Sequence, residues 1–115
     1  MARILMADDD RPFARMVARL LETAGHRVQL AHDGESALAA IRTFEPDMLL
    51  LDVALPLLRG DAIAQRTQLP ILFVSGRDLD RVAAIERANV RRLTKPVDLD
   101  DILREVNDLL AWRDG

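Results

Sequence analysis

Pro46-Asp47-Met48-Leu49-Leu50-Leu51-Asp52 sets four apolar residues between a helix breaker and an acid. A strand that is apolar on both faces belongs in the middle of a parallel sheet, covered above and below. Upstream, Leu38, Ile41 and Phe44 fall at helical spacing, and the helix they predict over 35–44 stops before Pro46. Downstream, Gly60 precedes a short helix over about 61–68, and Pro70 opens a fourth strand over 71–74.

The alternation reaches both ends. Residues 4–7 form a buried strand closed by acids. Phe13, Met16, Val17, Leu20 and Leu21 then mark one face of a helix, with Asp10 as its cap, Pro12 in its first turn and Gly25 at its end. A second strand covers 28–31, a fourth helix 78–88, and a weak fifth strand 92–94. Leu99, Ile102, Leu103, Val106, Leu109 and Leu110 predict a strongly amphipathic last helix capped by Asp98. Five strand–helix units in alternation imply an α/β sandwich: a doubly wound parallel sheet with helices on both faces. Right-handed crossovers select the flavodoxin-like strand order 2-1-3-4-5.

Composition narrows the function. The 115 residues, 50% hydrophobic, suit one domain over 1–115 with a real core. With no cysteine, disulfides, thiolate metal sites and cysteine nucleophiles are excluded. The 19 acids against 16 bases leave a net charge of −3, which implies no surface for nucleic acid. Asp8, Asp9 and Asp10 interrupt the apolar N-terminus too early for a signal peptide, and no apolar run nears the roughly 20 residues of a membrane span. A soluble cytoplasmic protein, monomer or weak dimer, is expected.

Ligands of such sheets bind beyond the carboxyl ends of the strands. There the chain places Asp8-Asp9-Asp10 after strand one, Asp52 after strand three, Ser75 at the end of strand four and Lys95 after strand five. Of the 16 basic residues, Lys95 is the single lysine. Taken singly, these residues could be a capping turn, a turn former, a loop serine and a helix entry. Together on one rim they form a set. Clustered carboxylates repel unless a cation neutralises them, and hard oxygen ligands suit Mg²⁺. A carboxylate can attack phosphorus, and the transfer then needs positioning and charge neutralisation.

The sequence resembles the receiver domain of bacterial two-component response regulators, in its single-domain, CheY-like form. The resemblance covers nearly the whole chain. It rests on Arg3-Ile-Leu-Met-Ala-Asp-Asp-Asp10, on Pro46–Asp52, and on Asp52-Val-Ala-Leu-Pro-Leu-Leu-Arg-Gly60. Pro70-Ile-Leu-Phe-Val-Ser-Gly76 and Leu93-Thr-Lys-Pro96 complete it. The resemblance implies that Asp52 accepts a phosphoryl group from a sensor histidine kinase or a histidine phosphotransferase. It makes Asp8, Asp9, Asp52 and the Ala54 carbonyl the Mg²⁺ ligands, with Asp9 the more direct of the acidic pair. Ser75 becomes the hydroxyl switch and Lys95 the partner of the phosphoryl group, ahead of a cis bond to Pro96. It also implies slow self-dephosphorylation, and output by docking to a downstream protein or by relay.

Two features depart from the family pattern. Three residues before the lysine, where the family carries an aromatic, stands Arg92. A guanidinium does not enter an apolar slot unpaired, so Arg92 is expected to stay outside, forming a basic output patch with Arg87 and Arg91. The 23 positions from Asp52 to Ser75 also leave the third helix only about two turns. An alternative function follows from the first departure: an adaptor that binds partners through the Arg92 face without phosphorylation. A flavin or nucleotide site lacks a glycine-rich phosphate loop.

Overall fold

In the computed structural model, which describes residues 1–114, the described strands form a single parallel sheet of order β2-β1-β3-β4-β5. Gly115, the last residue of the predicted domain, lies outside the described residues. The elements run β1 (Arg3–Ala7), α1 (Arg11–Thr23), β2 (Arg27–Ala31), α2 (Gly34–Phe44) and β3 (Met48–Leu51). There follow α3 (Gly60–Ala64), β4 (Ile71–Ser75), a 3-10 turn (Leu79–Arg81), β5 (Val90–Thr94) and α4 (Leu99–Asp114). The predicted flavodoxin-like order is the one observed.

Two cores explain why β3 had to be apolar throughout. Met48 and Leu50 pack with Ile4, Met6, Leu72 and Val74 beneath α1 and α4. Leu49 and Leu51 pack with Leu5, Ala7, Ile71 and Phe73 beneath α2 and α3. Alternate side chains of a strand leave opposite faces, so a strand buried on both sides can afford no polar position. Helix entry follows local chemistry: Asp10 accepts from the Phe13 N–H at 3.2 Å, and Asp33 from the Ser36 N–H at 2.7 Å. Each satisfies one of the free N–H groups at a helix start.

The helix predicted over 78–88 is replaced by a chain of tight turns. Arg81, Val82, Ala83 and Ile85 each donate their N–H to the carbonyl three residues back, at 3.0 to 3.3 Å. Leu79, Val82 and Ile85 are spaced by three, and a 3-10 winding aligns such residues on one line over the sheet. Asp78, at φ 62°, sits in the left-handed region and offers no side-chain cap. The third helix is also shorter than predicted, ending at Ala64. Past it, Arg66 Nη1 donates to the Ala62 carbonyl, and the Leu69 N–H donates to Thr67 Oγ1.

Nor do Arg87, Arg91 and Arg92 form a basic patch. Arg87 turns inward and donates to the carbonyls of Ala64, Thr67 and Leu69 at 2.9 to 3.1 Å, tying the chain before β5 to the α3–β4 connection. Arg91 and Arg92 are consecutive on β5 and leave opposite faces. Arg91 pairs with Glu105 of α4 at 3.1 Å. Arg92, exposed as expected, donates to the Val82 carbonyl at 3.2 Å on the other side.

At the N-terminal end of the sheet, the Ala2 N–H donates to His26 Nδ1 at 3.0 Å. Partial burial, and secondarily the chain's amino terminus, lower the His26 pKa from its ordinary 6.5. Protonation would turn Nδ1 from acceptor to donor and break this tie. A depressed folded pKa means that the unfolded chain takes up the proton first, so this stability is present above about pH 6.5 and lost as pH falls. Urea midpoints between pH 7.5 and 5.5 should fall less in His26→Gln than in the wild type, and parallel curves would count against the tie.

Candidate functional site

Ladder hydrogen bonds bring the strand ends together. The Asp52 N–H donates to the Ala7 carbonyl at 3.0 Å, the Asp8 N–H to the Ala31 carbonyl at 3.0 Å, and the Lys95 N–H to the Ser75 carbonyl at 2.9 Å. Order 2-1-3-4-5 puts β1 and β3 side by side at the switch point, where the two flanking crossovers go to opposite faces. Asp8 and Asp52 therefore share one rim, with Ser75 on the next strand. The bond from Lys95 to Pro96 is cis, as the resemblance implied.

Carboxylate oxygens of Asp8, Asp9 and Asp52 lie within 4.8 Å of one another. Asp8 is 1% exposed and Asp52 8%, while Asp9 faces solvent. Lys95 Nζ donates to Asp8 Oδ2 at 2.8 Å and lies 3.8 Å from Asp52 Oδ2. Burial raises the Asp8 pKa above its usual value, and the hydrogen bond from Lys95 partly opposes that rise. The Asp10 N–H also donates to Asp8, at Oδ1 and 2.9 Å.

Asp52 is held asymmetrically. Its Oδ1 accepts from Ser75 Oγ at 2.6 Å and from the Ala54 N–H at 3.2 Å, which leaves Oδ2 to face the ammonium. Ser75 Oγ is also 2.7 Å from the Arg77 carbonyl oxygen. One hydroxyl proton thus stands between two acceptors, so Ser75 is poised to change partner.

Of the predicted site residues, Asp8, Asp9, Asp52, Ser75 and Lys95 meet here and Ala54 is present through its N–H on Asp52, whereas Arg92 lies apart, on Val82. The donor set fits Mg²⁺. Three hard carboxylate oxygens within 4.8 Å of one another are the ligand type this cation prefers, and the exposed Asp9 leaves room for retained water.

Other neighbours were not foreseen. The Phe13 ring lies under Lys95, its centroid 4.5 Å from Nζ. His32 Nδ1 is 2.9 Å from the Asp8 carbonyl oxygen. Arg59 bridges Asp61 at 3.2 Å and Asp78 at 3.3 Å, linking the loops after β3 and β4. A Cβ on Gly60 would come within 2.5 Å of the Asp52 carbonyl oxygen, so only glycine lets α3 start this close behind the site. Gly60 lay within the quoted motif, whereas nothing in the spacing of Phe13 separated it from an ordinary core residue.

Residues 4–107 match the response regulator receiver domain. The chain belongs to that family. It is similar to the response regulator MprA of Mycobacterium ulcerans, 38% identical over 94% of this chain and 50% of that protein. It thus spans about half the length of the curated relatives it matches. Among solved structures it resembles the receiver domain of Francisella response regulator 1452, with TM-score 0.85 and 27% identity over 96% of this chain and 98% of that one. It also resembles the chemotaxis response regulator CheY4 of Vibrio cholerae, with TM-score 0.81 and 28% identity over 95% of this chain and 98% of that one. As a receiver, the chain is a component of two-component signalling. Among its described residues, no helix is long and apolar enough to cross a membrane.

Proposed function

We propose that this receiver accepts a phosphoryl group on Asp52 Oδ2 from the phosphohistidine of a sensor histidine kinase or a histidine phosphotransferase. The observation that carries the reading is the placing of three carboxylates against one ammonium, with the hydroxyl of Ser75 on the other oxygen of Asp52. Oδ2 attacks phosphorus in line as the phosphorus–nitrogen bond breaks, and the electron pair passes to the donor imidazole. Asp8, Asp9, Asp52 and the Ala54 carbonyl would hold Mg²⁺, which when bound supplies positive charge to the phosphoryl oxygens. Lys95, already between Asp8 and Asp52, swings to the new phosphoryl group. Ser75 keeps its proton and turns its hydroxyl to donate a hydrogen bond to a phosphoryl oxygen, releasing Asp52 Oδ1. That exchange biases the segment after β4 between two positions, and a downstream protein reads the difference. Water later cleaves the acyl phosphate, returning Asp52 and inorganic phosphate.

Incubation with acetyl phosphate and Mg²⁺ should add the mass of one phosphoryl group to the wild type and none to Asp52→Ala. Equal addition to both proteins, or addition to neither, would sink the assignment of Asp52.

A further inference from the structure

We infer that Phe13 is a positioning residue for Lys95: its ring face is the platform on which the ammonium moves from Asp8 to the phosphoryl group. The inference rests on the phosphoacceptor reading above and adds a residue to it.

Four contacts close a ring. The Asp10 N–H donates to Asp8 Oδ1, Asp10 Oδ1 accepts from the Phe13 N–H, the Phe13 ring faces Lys95 Nζ, and Nζ donates to Asp8 Oδ2. The acidic turn that holds Asp8 thus also sets the height of the Phe13 ring, through the cap of α1. Phe13 is half-buried, with its ring against the core beneath α1 and α4. Its position is therefore fixed by packing on one side and by the cap on the other.

Lysine alone would be poorly held here. Its four-carbon stem has many rotamers and its ammonium is strongly hydrated, so attraction to two carboxylates competes with release to solvent. An aromatic face attracts a cation without accepting its protons in fixed directions. That suits a group which must let go of Asp8 Oδ2, 2.8 Å away, and reach a phosphoryl group on Asp52 Oδ2, now 3.8 Å away. The ring holds the ammonium on that arc while leaving its hydrogen bonds free to be exchanged. A leucine in the same place fills the space but offers no such field.

The experiment compares wild type, Phe13→Leu and Phe13→Tyr, with Mg²⁺ and beryllofluoride as the phosphoryl mimic. ¹⁹F NMR of the bound mimic gives its affinity, and the methylene proton shifts of Lys95 report the ring current. We expect about fivefold weaker beryllofluoride binding in Phe13→Leu, within the range of one cation–π contact. Phe13→Tyr should stay within about twofold of wild type, because its ring keeps the cation–π attraction. The upfield shift of the Lys95 methylenes should persist in the tyrosine variant and vanish in the leucine variant. Equal affinity in Phe13→Leu and wild type overturns the inference. So does a tyrosine variant as weak as the leucine one, which would assign the effect to packing. If the wild type binds no beryllofluoride, the phosphoacceptor reading itself fails and this inference falls with it.

Discussion

Replacing Gly34 with alanine should destabilise the fold by about 3 kcal/mol, near the upper end of what overpacking costs. A Cβ at this first residue of α2 would lie 1.7 Å from the Leu58 carbonyl oxygen and 2.5 Å from its carbon. Both atoms are backbone, so no side chain can turn aside. The contact buttresses the loop that carries the site: the Gly34 N–H donates to the Pro56 carbonyl at 2.9 Å, and the Leu58 N–H donates to the same carbonyl at 2.8 Å. Leu57 between them takes a left-handed φ of 69°, which folds the loop back under α2. Pushing Leu58 away must therefore disturb the chain back towards Ala54 and Asp52. The urea midpoint should drop and the amide shifts of 53–60 should move, and an alanine variant with the wild-type midpoint would show the approach to be looser than this.

How much of this was legible in the sequence depended on whether a pattern had one structural meaning. Four apolar residues between Pro46-Asp47 and Asp52 had one, and β3 begins and ends where the pattern does. Once β3 was central, the strand-end rule selected Asp8, Asp52, Ser75 and Lys95 without reference to their distances. The segment 78–88 had two meanings, because Leu79, Val82 and Ile85 at spacing three serve an α-helix face or a 3-10 line. Its winding was decided by Asp78 adopting the left-handed region and by Arg92 and Arg87 reaching backbone carbonyls. Carbonyl partners leave no trace in side-chain identity, so the inward turn of Arg87 could not be read. The opposite faces of Arg91 and Arg92 could have been, since adjacent strand residues always diverge. Phe13 was placed on the correct face of α1, but its meeting with Lys95 joins positions that only the assembled rim brings together.

The same rim makes Lys95→Met the more informative disruption. Methionine matches the length and apolar stem of lysine, so the change removes chiefly the charge. In its absence Asp8, 1% exposed, stands beside Asp9 and Asp52 with no ammonium 2.8 Å away. Breaking a buried pair by deleting one partner costs about 3 kcal/mol or more, because the remaining charge is left uncompensated. The sign of the pH dependence follows from Asp8. Its folded pKa already lies above 3.8 through burial, and Lys95 is among the influences holding it down, so the variant raises it further. A carboxyl that binds its proton more tightly when folded favours the fold in acid, and that advantage disappears as pH rises through the folded pKa. The gap between variant and wild type should therefore be small near pH 4 and full at pH 7. Mg²⁺ should narrow it at pH 7, since a divalent cation replaces the missing charge in the variant but must displace an ammonium from Asp8 in the wild type. Urea midpoints with and without millimolar Mg²⁺ test both parts: the larger Mg²⁺-dependent gain belongs to Lys95→Met. Equal gains would mean that metal and ammonium do not compete for Asp8. The ammonium proposed to serve the phosphoryl group after transfer would then not be what Mg²⁺ replaces at Asp8.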